Sequence, residues 1–185
     1  MKTTRLIKTA ATAVSLALLA SCGTDEKQAN NNKNNKKDEG SAFPASLISE
    51  TPIDDAKSVV AARADGKAGE AIVLRGKIGG KEKPISEKAA VFILADEKAI
   101  TSCDDIPGDE CPKPWDYCCE DPDKIKASIA TIQVVNADGE VIRKGVRGLA
   151  GIKELSHLII SGTIDKASTP ENMIVNATSI HVEKP

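Results

Sequence analysis

Aromatic side chains are nearly missing from these 185 residues: Phe43, Phe92, Trp115 and Tyr117 are the whole set. A core must therefore be built from Ile, Val, Leu and Ala, and a run of stacked aromatics for binding unpaired bases is excluded. Histidine is almost as scarce, with only His157 and His181. Neither sits in an H-E-x-x-H motif, and no G-x-S-x-G element is present. Gly79-Gly80 and the glycines of residues 145–151 lack the phosphate-loop pattern. No catalytic constellation emerges, and the chain reads as a non-enzyme.

An excess of positive charge is missing too. Lys2, Arg5 and Lys8 lie in the first 22 residues, which hold no acid. Setting these three aside from the 25 basic residues leaves 22 against 27 acids, a formal charge of −5. Such a balance gives no long-range attraction for a phosphate backbone, so nucleic acid is disfavoured as a partner. Long apolar runs are also absent: the uncharged, largely apolar run of residues 9–20 is short for an ordinary membrane span.

What is present at the start is a leader in the usual order of an export signal: a cationic segment, an apolar run, then Leu19-Ala20-Ser21-Cys22. This string resembles the lipobox of bacterial lipoproteins. The resemblance implies cleavage after residue 21 and diacylglycerol, with palmitate-type acyl chains, on Cys22. Two or three acyl chains bury enough CH₂ groups for stable anchoring. The protein is thus expected in the bacterial cell envelope, outside the cytoplasm, with the membrane as a partner through its lipid. Gly23, rather than Asp, follows the cysteine. That resembles lipoproteins not retained at the inner membrane, and the choice of membrane stays open. Residues 22–46 include TDEKQANNNKNNKKDEGS, which has no apolar periodicity and reads as a disordered polar tether.

Residues 47–185 are expected to form one module. Thr51-Pro52-Ile53-Asp54 carries helix-start signals, with Thr as cap and Pro at the first helical position. Ile53, Ala56, Val59, Val60 and Arg63 follow at helical spacing, and Gly66 is placed to close the helix in a left-handed turn. Strands are expected over residues 70–78, 89–95, 128–135, 157–164 and 173–182. Asp138-Gly139 signals a hairpin with residues 140–143 returning. Leu149, Ile152 and Leu155 suggest a short helix between the third and fourth strands.

The predicted class is all-β: a five-stranded OB-fold-like barrel with an N-terminal helix and a short helix between strands three and four. The segments VLRGKIGG, VFILAD, LIISGTID and NMIVNATSIHV resemble the tRNA anticodon-type OB families. That resemblance makes a nucleic-acid-binding domain the weakest of the functional alternatives, given the charge and the shortage of aromatics.

The second and third strands are joined by a cysteine-rich loop, residues 101–123, containing SCDDIPGDECPKPWDYCCEDPD. It holds Cys103, Cys111, Cys118 and Cys119, together with the chain's one Trp and one Tyr. Its prolines and Gly108 argue against regular structure. With Cys22 taken by lipid the thiol count is even, and an oxidising compartment favours two disulfides. A Cys118–Cys119 bridge would be strained, so each is expected to reach back to Cys103 or Cys111. The alternative is a thiolate metal site, although the spacing C-x7-C-x6-C-C lacks a C-x2-C knuckle. Zn²⁺ and Cu(I) are the candidate ions and no other cofactor is implied; a redox thiol is the third option. The acids of the loop fit no EF-hand spacing and read as a solvated surface. Trp115, Asp116 and Tyr117 are the candidate binding residues, since Trp and Tyr are enriched in contact hot spots. CPKPWDYCC resembles a signature recurring in exported bacterial domains, and it implies no activity. The functional expectation is a non-catalytic binding or structural module contacting an envelope protein or a small ligand. A thiol-based metal or redox lipoprotein is the alternative.

Overall fold

The computed structural model describes residues 42–184. The leader, Cys22 and most of the tether lie outside the described residues. The half-buried ring of Phe43 rests on the core, with Lys144 Nζ 5.5 Å from its centroid.

Five strands form the barrel: β3 (Ala71–Ile78), β4 (Val91–Ala95), β5 (Ile129–Gln133), β6 (His157–Ile164) and β7 (Ile174–Val182). Two-residue strands precede them, β1 (Ile48–Ser49) and β2 (Lys57–Ser58). β3 pairs antiparallel with β4, β4 with β5, and β6 with both β3 and β7. β5 pairs parallel with β7, with Ile132 opposite Val175, which closes the ring. Taken around the barrel, the order first, second, third, fifth, fourth, first is that of an OB-fold-like barrel. β1 adds in parallel to β7 and β2 in parallel to β3.

Alternation along each strand sends one set of side chains inward. Leu74 and Ile78, Phe92 and Leu94, Ala130 and Ile132, Leu158 and Ile160, and Val175 and Ile180 meet in the interior. Aliphatic side chains suffice, as the scarcity of aromatics requires. Phe92 is 1% exposed and belongs wholly to this core.

The helices depart from expectation in instructive ways. The N-terminal helix does not start at Thr51. It is α1 (Val59–Asp65), capped by Ser58, whose Oγ accepts from Ala61 N. Asp55 takes a left-handed conformation at φ 61°, and Lys57 and Ser58 are drawn into pairing with Leu74 and Arg75. Strand pairing to the barrel thus overrides a good local helix start. Nor is Gly66 left-handed: it is extended at φ −71°, with its N–H on Ala62 O at 2.9 Å. Between β5 and β6 the expected short helix is one 3₁₀ turn, Leu149–Gly151, broken by Ala150 at φ 49°. The Asp138-Gly139 hairpin forms, with Asn136 N donating to Glu140 O at 2.8 Å and Gly139 at φ 82°. Its returning arm contributes only the Val135–Val141 bridge rather than a strand. Among the described residues no helix is long and apolar enough to cross a membrane.

Candidate functional site

The segment between β4 and β5, residues 96–128, lies against the outside of the barrel and has a small core of its own. Ala95, Ile100 and Tyr117 are buried together, with Ile125 and Ile129 packed beside them. The segment is not wholly irregular. It contains 3₁₀ turns at Cys103–Asp105 and Pro114–Asp116, and a helix, α2 (Pro122–Ala127). Asp121 caps α2 by accepting from Asp123 N and Lys124 N, and Pro122 occupies the first helical position.

Tyr117 is the peg that holds this segment down. It was expected as a contact residue, but its exposure is 0%. Its backbone is left-handed, φ 61°, which costs a non-glycine residue roughly 1–2 kcal/mol. Burial of an aromatic ring outweighs that cost. Gly79 makes room: a Cβ there would stand 2.6 Å from Tyr117 Cε2 and 2.7 Å from Trp115 O. Gly80, at φ 87°, donates its N–H to Trp115 O at 2.8 Å. The Gly79-Gly80 pair that reads as a turn signal is thus also the docking floor for the loop. Burial pushes the Tyr117 phenol above its ordinary range.

Buried charge reinforces the seam. Lys77 projects outward from β3 yet is only 3% exposed, because the loop covers it. Its Nζ donates to Ser102 Oγ at 2.9 Å and to Asp105 Oδ2 at 2.7 Å, with Asp104 Oδ2 at 3.5 Å. Burial would raise the Asp105 carboxyl, but the hydrogen bonds from Lys77 and Ser102 outweigh it and hold it below its ordinary range. Beside this seam His157 Nδ1 is 2.7 Å from Glu97 Oε2, and Arg75 Nε is 3.2 Å from Glu97 Oε1. His181 Nδ1 is 3.0 Å from Ser49 O. Both histidines therefore have local, structural partners.

The four cysteines converge. Cys118 Sγ lies 3.6 Å from Cys103 Sγ, 3.4 Å from Cys111 Sγ and 4.0 Å from Cys119 Sγ. A disulfide needs sulfurs at about 2.05 Å. All four are free thiols, so neither expected disulfide is formed among the described residues. Two carboxylates join them. One oxygen or sulfur from each of Cys103, Cys111, Asp116 and Cys118 falls within a mutual 4.8 Å, as do those of Cys103, Asp109 and Cys119. Asp109 Oδ1 accepts from Cys111 N at 2.6 Å, and Asp116 Oδ1 from Cys118 N at 2.9 Å. Contacts with Cys111 and then Cys103 raise the Cys118 thiol well above its ordinary value.

Trp115 is half-buried, as a residue with both a packing and a contact face should be. Its Nε1 donates to Glu82 O at 3.0 Å, and Lys113 Nζ is 2.5 Å from Glu82 Oε1. The indole lines a groove of about 630 Å³ between the loop and the β3–β4 connection, with Lys81, Lys88, Val91, Arg147 and Glu154 among its walls. Arg147 and Glu154 form an ion pair there.

Of the residues singled out from the sequence, the fold gathers the sulfurs of Cys103, Cys111, Cys118 and Cys119 with Asp116, leaves Trp115 apart on its groove and buries Tyr117. Sequence reading missed Lys77, Ser102, Gly79 and Asp109. Only Asp109 left a local trace, two residues before Cys111. The others matter through contacts between the loop and the outer face of the barrel. Set against known proteins, the chain matches no family model, no curated protein and no solved structure.

Proposed function

We propose that this chain is a lipid-anchored protein of the bacterial envelope, held by diacylglycerol on Cys22, whose OB-like barrel is a non-catalytic binding module. The ligand class is a segment of an envelope protein or a small molecule docking beside Trp115. The observation that carries this reading is the way Trp115 is presented. Its indole N–H, its carbonyl and the neighbouring Tyr117 ring are all tied to the barrel, yet the indole remains half-exposed on a groove. A rigid aromatic beside a concave surface loses little entropy on contact, which is the signature of a hot-spot residue.

Two further observations favour a protein or small ligand over an oligonucleotide. OB barrels engage nucleic acid on the face of their second and third strands. Here Ile100, Tyr117 and Ile125 cover Ala95 and Ile129 on that face. Phe92, the one aromatic on a barrel strand, points into the core.

Envelope extracts passed over the immobilised full chain test the binding reading. The wild type should retain a defined set of components, and Trp115→Ala should weaken that retention about thirtyfold, as loss of a 2 kcal/mol hot spot requires. Equal retention by both overturns it. Anchoring is tested separately by Cys22→Ser or globomycin treatment: unchanged processing and membrane partitioning would defeat the lipid assignment.

A further inference from the structure

We infer that the cysteine loop is a zinc site in which Cys103, Cys111 and Cys118 supply three thiolate sulfurs and Asp116 a carboxylate oxygen to one Zn²⁺ ion. The inference concerns the loop alone and stands or falls independently of what docks beside Trp115.

Distance is the first argument. Thiolates around tetrahedral zinc sit about 2.3 Å from the ion, so neighbouring sulfurs stand about 3.8 Å apart. The 3.6 and 3.4 Å separations of Cys118 from Cys103 and Cys111 lie close to that edge length and far from a covalent S–S bond. With the Asp116 oxygen these sulfurs make a mutually close set of four, the number tetrahedral zinc takes.

Burial is the second. Thiols gather in hydrophobic interiors because they are apolar. Only Cys103 is buried here; Cys111 is half-exposed and Cys118 is exposed. The loop's own hydrophobic core is built from Ala95, Ile100 and Tyr117, not from these sulfurs. Apolar packing thus gives no reason for three separate stretches of loop to converge on one point at the surface.

Pre-organisation is the third. Each stretch is fixed by a contact of its own. Cys103 opens a 3₁₀ turn over the Lys77 seam. Cys111 N is held by Asp109. Cys118 follows the buried, left-handed Tyr117, and its N–H is held by the first oxygen of Asp116, which leaves a second oxygen to give. Hydrogen bonds of this kind orient ligands around a metal.

The donor set selects the ion. Three sulfurs with one oxygen suit borderline Zn²⁺, whereas Cu(I) prefers sulfur alone. Cys119 is not part of the set. Its sulfur turns toward Asp109 Oδ2 at 3.7 Å, and as the immediate neighbour of Cys118 it is poorly placed to share an ion. Binding is an exchange of protons for metal: three thiol protons pass to solvent as three Zn–S bonds form, and no electron is transferred.

The test uses the full chain purified in detergent, with thiols alkylated during lysis in one portion and left free in another. The unalkylated portion should carry about one zinc per chain. Exchange with Co²⁺ should give tetrahedral visible bands and a thiolate charge-transfer intensity set by three sulfurs. Cys111→Ser and Asp116→Asn should each weaken zinc binding at least about tenfold, while Cys119→Ser should stay within about threefold of wild type. Far-UV dichroism and Trp115 emission report whether each variant is folded, and the wild-type cobalt spectrum decides the matter should a variant misfold. Two intact disulfides in the alkylated portion, no stoichiometric zinc after reconstitution, copper retained in preference to zinc, or equal losses in Cys119→Ser and Cys111→Ser would each overturn the assignment.

Discussion

A single methyl group at residue 79 decides whether the cysteine loop can lie down. The Cβ of Gly79→Ala would meet the ring of Tyr117 at 2.6 Å and the carbonyl of Trp115 at 2.7 Å. The carbonyl is backbone and cannot rotate away, so the loop must lift. Overpacking of this kind costs about 1–3 kcal/mol. Gly79→Ala should therefore lower the urea midpoint and open residues 101–120 to limited proteolysis, with barrel strands still protected. Tyr117→Ala should produce the same local opening at a larger cost, about 3–5 kcal/mol, as expected for removing a buried aromatic ring. Neither role is visible in the sequence. Gly79 sits in a Gly-Gly pair that local rules assign to a turn, and Tyr117 lies in a motif whose composition favours contact surfaces. What makes one a floor and the other a peg is their encounter across 38 residues of chain. Lys77 is hidden for the same reason: it occupies an outward strand position, and only the loop folding over it turns a surface lysine into a buried one.

Where the elements join, Asp96 is the clearest case. It follows β4 directly and is 1% exposed. Its Oδ2 accepts from Val60 N in the first turn of α1 at 2.8 Å, and its Oδ1 accepts from Lys98 N and Ala99 N at 3.0 and 3.1 Å. One carboxylate thus ties the helix to the barrel and starts the loop. Burial would raise this carboxyl, but the hydrogen bonds, led by that from Val60, outweigh it and leave it below its ordinary range. Because the folded state depresses the pKa, the stabilisation is complete above the unfolded value, about 3.9, and is lost as pH falls through the folded one. Asp96→Ala should cost about 2–3 kcal/mol near neutral pH by urea unfolding, since three backbone donors lose their acceptor. The gap to wild type should narrow as pH falls below the unfolded value and the wild-type carboxyl itself becomes protonated. A gap that widens on acidification would contradict the sign of the shift. At this scale the barrel strands were readable because each has β-branched content bounded by turn residues: β6 matches its expected bounds, and β3, β4, β5 and β7 are trimmed by one or two residues at one or both ends. The helices were less so. The Thr51-Pro52 start is a sound local signal defeated by the pairing of β2 with β3. The Asp121-Pro122 start of α2 was present but sits among acids that read as solvated loop.

At the scale of the molecule the barrel and the loop are unequal partners. The barrel core is a continuous cluster running from Leu47 to Ile180, whereas the loop rests on Ala95, Ile100 and Tyr117 with two partly buried neighbours. Segments with few buried apolar contacts open at lower free energy than the fold as a whole. Hydrogen exchange should therefore show residues 97–127 opening before β6 and β7, and Ile100→Ala should accelerate exchange in that segment alone. The same inequality bears on anchoring. By sequence, the 20 residues between Cys22 and Phe43 are mostly Asn, Lys, Asp, Glu and other polar residues without apolar periodicity. On the proposed anchoring, the lipid-bearing Cys22 is joined in sequence to the module by a stretch with little apolar content to bury. On that anchoring, Cys22→Ser should release the chain from the membrane fraction while leaving its melting temperature within about 2 °C of the wild type, since the surrounding sequence is polar and offers little apolar surface to a core. A fall well beyond that margin in the released protein would mean that lipid or membrane contributes to folding, and the picture of a self-sufficient barrel on a passive tether would have to be abandoned.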